Sequence, residues 1–371
     1  MQEHHTASTL GAMFMVGVRG AEAGDEMLEA DLEACAGAGI TNVILFSEQV
    51  PEGGDRNVRS PEQVARLTDH IRKKLGPSTV IAVDQEGGIA TRLGPEHGFA
   101  DTVSASAYAE MDHADRARYA DRFVRDIAAV GIDWNLAPCV DVDHDPPCPV
   151  IGELGRAFSM SPSVVISRAR ELIEAHDEHG VAVCLKHFPG HGAASDDSHF
   201  QLPDVTERHR GDVDLAPFRE LLQEDNSGTA NRALLTVMTA HVLHRELDAK
   251  HPASLSHAIT TGLLRKKLGF DGVVITDSMD MNAVRETRSL LNACRSAILA
   301  GADIIVDGCN APIGDTASDV AEVVRSLEEE ARNDETRLRC MIEQSAPRRA
   351  MLLRALGRRA DPRETLSDSS L

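Results

Sequence analysis

The sequence predicts a single α/β domain, a (β/α)8 barrel of the TIM type, and three observations carry that prediction. Short apolar runs recur along the chain with helix-like stretches between them, and strands that alternate with helices pair in parallel. The runs number eight, the strand count of this barrel. Ionisable residues stand where several runs end, and in such a barrel the chemistry sits where strands end. An open doubly wound sheet is the structural alternative.

Strands are expected at residues 12–18, 42–46, 80–84, 132–137, 181–187, 234–240, 272–277 and 303–307. Their aliphatic and β-branched content suits strands buried on both faces. Helices are expected at residues 61–75, 114–130, 162–179 and 285–300. Past the eighth strand, residues 318–332 read as an acidic helix and 340–358 as a basic one. The barrel is expected to span residues 1–358. A polar, frayed tail follows at 359–371, with no linker and no second α/β sandwich domain.

Composition narrows the function. Aromatic residues make up 3% of the chain and the formal net charge is −21. Little is available for stacking on bases, and the charge repels nucleic acids and anionic membranes. The positive charge comes mostly from arginine, since Lys73, Lys74, Lys186, Lys250, Lys266 and Lys267 are the only lysines. That balance fits a salt-rich cytoplasm or an ordinary acidic soluble protein. The seven cysteines are scattered and form no CxxC pair, as reduced core cysteines do. Residues 1–8 are polar and no apolar segment of signal-peptide or membrane-spanning length follows, so a cytoplasmic location and a monomer are expected.

The densest chemistry lies in Lys186-His187-Phe188-Pro189-Gly190-His191-Gly192 and the following Asp196-Asp197-Ser198-His199. A buried run breaks here into glycine, proline and ionisable residues, as a strand ending in a working loop does. Asp197 and His199 form an Asp-x-His pair, in which a carboxylate orients one ring nitrogen while the other handles a proton. Lys186 and His187 are placed to donate hydrogen bonds to hydroxyls. The glycines, the proline and Ala193-Ala194-Ser195 predict a mobile loop. A metal site built from His187, His191, Asp197 and His199 is an alternative, but Pro189 and Gly190 rule out a helical His-x-x-x-His face. No metal or cofactor is expected.

Three further segments complete the set. Asp84-Gln85-Glu86-Gly87-Gly88, with Arg92 downstream, pairs a strand-end carboxylate with glycines that admit a ligand; Asp84 either accepts from vicinal hydroxyls or caps the next turn. Arg156, between Gly155 and Ala157, either forks onto a diol or carboxylate or lies on the surface. Asp277, after Val273-Val274-Ile275-Thr276, is a nucleophile toward an anomeric carbon, a metal ligand or a helix cap. A carboxylate nucleophile, a separate proton shuttle and several hydroxyl binders are the parts of a glycosyl-transfer site.

These segments resemble family 3 glycoside hydrolases, the β-N-acetylglucosaminidases (β-hexosaminidases) of the NagZ type. The resemblance runs from about Gly11 to Leu356. It rests on Met13-Phe14-Met15-Val16-Gly17, Asp84-Gln85-Glu86-Gly87-Gly88, Ala137-Pro138 with Asp141-Val142-Asp143, the Lys186–Gly192 motif, Asp197-Ser198-His199, Met238-Thr239-Ala240-His241 and Asp277-Ser278-Met279-Asp280-Met281. It implies Asp277 as nucleophile, His199 as general acid/base and Asp197 as its partner. It implies Asp84, Arg92, Arg156, Lys186 and His187 as the residues that hold the terminal sugar. The implied substrate is a terminal β-linked N-acetylglucosamine, on a peptidoglycan-derived muramoyl fragment or a chito-oligosaccharide. Because the muramoyl fragment is an anion, Arg92, Arg156 and Lys186 are expected to offset the acidic surface. A phosphorylase that uses phosphate in place of water, and a non-catalytic sugar-binding barrel, are the competing functions. The chain departs from the family pattern at Ile89, where an arginine is common, and in a longer loop before Arg156, where Ala157 replaces a usual serine.

Overall fold

A computed structural model describes residues 10–50, 53–198, 201–223, 231–311, 314–333 and 337–358. Eight parallel strands form one sheet: β1 (Phe14–Gly17), β2 (Asn42–Leu45), β3 (Val80–Val83), β4 (Trp134–Asn135), β5 (Ala182–Phe188), β6 (Leu235–Thr239), β7 (Val274–Thr276) and β8 (Ile305–Asp307). The order is β7-β6-β5-β4-β3-β2-β1-β8. The remaining seam, between β7 and β8, is joined by a parallel bridge from Ile275 to Ile304 and by the Thr276 N–H donating to the Ile304 carbonyl at 3.0 Å. The sheet therefore curls into the barrel that the strand count predicts. The strands are mostly shorter than the apolar runs, because the runs continue into buried turns beyond the last ladder bonds.

Helices α1 (Glu26–Gly37), α2 (Pro61–Leu75), α3 (His113–Ala129), α4 (Pro162–Glu178), α5 (Ala216–Gln223), α6 (Leu290–Ala300), α7 (Ala317–Asn333) and α8 (Arg337–Ala355) pack outside the strands or at one end. Helix α2 shows why the sequence is read so well there. Ser60 caps it through the Gln63 N–H, Pro61 sits in its first turn, Val64, Leu67 and Ile71 share its buried face, and Gly76 ends it at φ 96°. Expectation and structure differ elsewhere. Helices α1 and α5 were not expected, and the expected helix at 285–300 is split into a short turn (Asn282–Arg285) and α6. Ala258–Lys267 winds as a π-helix, a state that apolar periodicity does not announce. The expected tail at 359–371 lies outside the described residues.

Side chains alternate across each strand, and that alternation builds the barrel interior. Met15, Ile44, Ala82, Trp134, Cys184, Met238, Ile275 and Val306, one from each strand or its end, meet in one buried cluster. The indole N–H of Trp134 donates to Thr236 Oγ1 at 3.2 Å, and that hydroxyl donates on to the Val183 carbonyl at 2.7 Å. Leu352 and Leu353 of α8 join the same cluster and so close one end of the barrel. Burial of two such side chains stabilises by roughly 1.5–3 kcal/mol each. Arg348 pairs with buried Asp303 at 2.8 Å and Arg358 with Asp133, pinning α8 in place. The other end is left open for the site. All seven cysteines are free, and only Cys340 is exposed. Among the described residues no helix is long and apolar enough to cross a membrane.

Candidate active site

The strand ends converge on a cavity of about 590 Å³. Asp84, Arg92, Arg156, Lys186, His187, Asp197 and Asp277 all line it, so the described members of the expected site are brought together. His199 lies outside the described residues.

The floor is an ion-pair chain. Lys186 lies within β5, where alternation from the interior residues Ala182 and Cys184 turns it inward. Its ammonium lies 2.7 Å from Asp84 and 2.7 Å from Glu86. Arg156 grips both oxygens of Glu86, from Nε and Nη2, at 2.8 Å each. Burial alone raises the Glu86 pKa, but Arg156 and Lys186 outweigh it and hold the carboxylate far below the usual range. Burial likewise lowers the Lys186 pKa, yet Asp84 and Glu86 keep the ammonium charged. Arg156 does fork onto a carboxylate, but that carboxylate belongs to the protein. Glu86 was quoted only as part of a motif, and nothing in its local sequence marks it as the hub.

A second buried carboxylate, Asp141, sits behind the floor. The chain from Pro138 to Val140 continues the ladder beside β5, with the Val140 N–H donating to the Lys186 carbonyl at 2.7 Å. That pairing sets Asp141 under the next turn. Its Oδ2 accepts from His187 Nδ1 at 2.7 Å and its Oδ1 from the His191 N–H at 2.7 Å. Burial opposes the charge, but His187 and His191 overcome it and depress the Asp141 pKa strongly. The Arg156 guanidinium faces His187 Nε2 at 3.4 Å. A guanidinium only donates, so His187 carries its proton on Nδ1 and presents Nε2 as an acceptor. Asp141 was likewise quoted in the sequence motif without a role.

Asp277 comes from the opposite side, two residues past the interior Ile275. Its N–H donates to the Thr239 carbonyl at 3.0 Å, and its Oδ1 accepts from the Ser278 N–H at 2.8 Å. Buried His241 supports this turn: its Nε2 donates to the Ser278 carbonyl at 2.8 Å, and its Nδ1 meets Ser254 Oγ at 2.7 Å. Burial raises the Asp277 pKa, but His241, His187, the Ser278 N–H and Lys186 more than cancel it, so the carboxyl stays ionised. An ionised carboxylate facing a cavity beside hydrogen-bond donors has the properties of a nucleophile.

The loop after β5 corrects one expectation. It was expected to be mobile, but residues 191–194 are buried. Its small residues permit tight packing: a Cβ on Gly192 would stand 2.0 Å from the Val142 carbonyl oxygen. Ser198 is buried as well, with its Oγ 3.1 Å from His191 Nε2 and its carbonyl accepting from the Ala283 N–H at 3.3 Å. Asp197 is thus held between the β5 and β7 ends. Burial and neighbouring His187 push the His191 pKa down to about 4, so this ring is neutral at pH 7 and acts as a strut.

Asp307 ends β8 but does not line the cavity. Of the alternative metal set His187, His191, Asp197 and His199, the last lies outside the described residues and the first three do not converge: among the described residues, only Cys139, Asp141 and His187 bring three ligand atoms within 4.8 Å of one another. In that trio the imidazole and the Cys139 thiol, at 3.3 Å, both donate to Asp141. Burial pushes the Cys139 thiol well above its ordinary pKa. The donor set is satisfied in its protonated form, which does not fit a resident metal. Arg92 stacks over Phe46 at 5.8 Å, and its buried Nε has no hydrogen-bond partner among the described residues.

Comparisons with known proteins give the family. Residues 7–341 match the glycosyl hydrolase family 3 N-terminal domain. A β-hexosaminidase from Thiobacillus denitrificans is 33% identical over 300 residues, 78% of this chain and 77% of its own. One from Alkalilimnicola ehrlichii is 36% identical over 282 residues, 74% of each chain. Among solved structures, a family 3 β-N-acetylglucosaminidase from Paenibacillus superposes with a TM-score of 0.78 at 30% identity, covering 98% of this chain and 65% of that one. A β-N-acetylhexosaminidase from Beutenbergia cavernae gives a TM-score of 0.80 at 27% identity, with 95% and 98% covered. The chain belongs to glycosyl hydrolase family 3.

Proposed function

We propose that this glycoside hydrolase, of the β-N-acetylhexosaminidase type, releases terminal β-linked N-acetylglucosamine with retention of configuration. The observation that carries the reading is the ionised Asp277 facing, across one cavity, the loop that bears Asp197. Asp277 attacks the anomeric carbon and forms a glycosyl–aspartate, while His199 protonates the departing oxygen. Water then attacks the same carbon, gives its proton to neutral His199, and Asp277 leaves as the carboxylate. Asp197 fixes the imidazole tautomer and favours its protonated form before attack. The Asp84–Lys186–Glu86–Arg156 chain, His187 and Arg92 supply fixed donors and acceptors for the sugar hydroxyls. Their mutual pairing orients them before substrate arrives.

The muramoyl fragment of peptidoglycan recycling and the chito-oligosaccharide share this terminal unit, and a cytoplasmic location belongs to the same proposal. Phosphate is a poor acceptor here, because the cavity wall is rich in carboxylates. The test is product analysis on an aryl N-acetyl-β-glucosaminide in phosphate buffer. Free N-acetylglucosamine, first formed as the β-anomer, supports the reading. A sugar 1-phosphate or an initial α-anomer overturns it.

A further inference from the structure

The rim of the cavity differs in kind from its floor. Val50, Ile89 and Leu154 line the cavity and are 40%, 66% and 39% exposed, three of the six large hydrophobic side chains among the described residues that stand out in this way. They come from the loops after β2, β3 and β4, consecutive strands of the barrel. Ile89 is presented by the hairpin in which the Glu86 N–H donates to the Ala90 carbonyl at 2.9 Å. Gly87, at φ 94°, lies close under the Val103 carbonyl, so the hairpin is seated and its tip faces outward. This arc adjoins the β5 loop with Asp197 and lies across the barrel from Asp277 at β7.

A terminal sugar on the floor must send the rest of its substrate out through the mouth. In a retaining reaction the leaving group departs from the face opposite the nucleophile, beside the general acid. That is the side of the apolar arc. The charge of the walls adds a second constraint. Among the described residues, six carboxylates line the cavity (Glu48, Asp84, Glu86, Asp197, Asp277 and Asp280) against three cations, Arg92, Arg156 and Lys186. Two of those cations are already engaged: Lys186 by Asp84 and Glu86, and Arg156 by Glu86. Matched to the protein's own carboxylates, Lys186 and Arg156 offer an anionic substrate little unmatched positive charge.

We propose that Val50, Ile89 and Leu154 form an apolar shelf for the leaving group, and that it takes the second unit of a neutral saccharide in preference to an anionic one. A pyranose ring lays its C–H face on such a shelf, whereas a carboxylate there meets apolar side chains and a net negative wall. The inference rests on the reading that the floor holds terminal N-acetylglucosamine.

The test compares kcat/KM of the full chain on three probes: N,N′-diacetylchitobiose, N-acetylglucosaminyl-anhydro-muramic acid, and β-N-acetylglucosaminyl azide, whose leaving group is too small to reach the rim. The neutral disaccharide is expected to exceed the anionic one by about tenfold at low salt, with the gap closing as salt screens the walls. Ile89→Ser combined with Leu154→Ser should lower the ratio of chitobiose to azide by about tenfold, the scale of partly lost apolar contact from two side chains. Ile89→Arg should narrow the gap between the two disaccharides. Equal or better cleavage of the anionic disaccharide by the unaltered chain, or a chitobiose-to-azide ratio that does not move, overturns the shelf. Failure to cleave any of the three, the azide included, overturns the underlying reading of the floor and the shelf with it.

Discussion

Asp277 and Asp307 both follow apolar runs, both stand at the ends of neighbouring strands, and they do opposite things. Asp277 faces the cavity and is held ionised by His241, His187 and Lys186. Asp307 is 1% exposed, its Oδ2 has no hydrogen-bond partner among the described residues, and burial together with Asp280 and Asp315 pushes its pKa well above the carboxylate range. The difference is one of parity. Ile275 and Val306 both point into the barrel; Asp277 lies two residues past the first and Asp307 one residue past the second. One step of the pleat decides between a carboxylate that faces the cavity and a carboxyl buried away from it. A strand-end position is therefore insufficient to name a catalytic group; the face and the sign of the neighbours complete the assignment.

The sharpest way to break this contrast is to make the same isosteric change at both sites. Asp277→Asn should cost about 10³-fold or more in kcat on an aryl N-acetyl-β-glucosaminide, as loss of a nucleophile does. Asp307→Asn should stay within about fivefold, since Asp307 does not line the cavity and the amide keeps its shape. Equal losses at the two positions would erase the distinction.

Next in size is the proton shuttle. His199→Ala should slow hydrolysis of a disaccharide by about 10²–10⁴-fold and that of an activated aryl glycoside far less. Equal losses on the two substrates remove His199 from the acid role.

Glu86→Gln probes the floor. It leaves Lys186 and Arg156 with one charged partner fewer, and removing one member of a buried ion-pair set costs about 3–5 kcal/mol. Thermal unfolding should show a marked fall in Tm, and KM should rise. An unaltered Tm would mean that the chain of pairs contributes nothing to preorganisation.

A smaller effect separates the two aspartates by pH. The folded pKa of Asp307 is raised, so between the unfolded value, about 4, and the folded one, the native state holds a proton that the unfolded state has lost. Stability then falls as pH rises through that window. Asp307→Asn removes this loss, so its Tm should gain on the parent as pH climbs above about 4 and match it below. Asp277, with a depressed pKa, contributes in the reverse sense: its share is present above the unfolded value and is lost as pH falls. A constant Tm difference across the range would contradict the assignment for Asp307. The smallest effect is that of a chelator, which should leave activity within about twofold.

Much of this was legible in the sequence because it depends on short-range pattern. The stretch from Ser60 to Gly76 carries the cap, the apolar face and the terminating glycine of α2 within seventeen residues, and the eight apolar runs mark eight strands. The motif around Lys186–His187 and the aspartates at 84, 197 and 277 announced a site, and those residues do share one cavity. The rest was hidden for identifiable reasons. Glu86 and Asp141 orient the floor through partners 46 to 100 residues away, and no local spacing reports such a pairing. The packed state of residues 191–194 was misread because glycine and alanine serve equally for freedom and for close approach.

The sequence alone determined the fold class, the strand count and the residue types gathered at the strand ends, since hydrophobic periodicity and turn chemistry act over a few neighbours. Tertiary structure alone decided the rest. It turned Asp277 inward and Asp307 away, and it matched Lys186 and Arg156 with internal carboxylates. Strands buried on both faces are apolar throughout and carry no record of which face points in, and a charge acquires its state only from the groups that closure of the barrel brings against it.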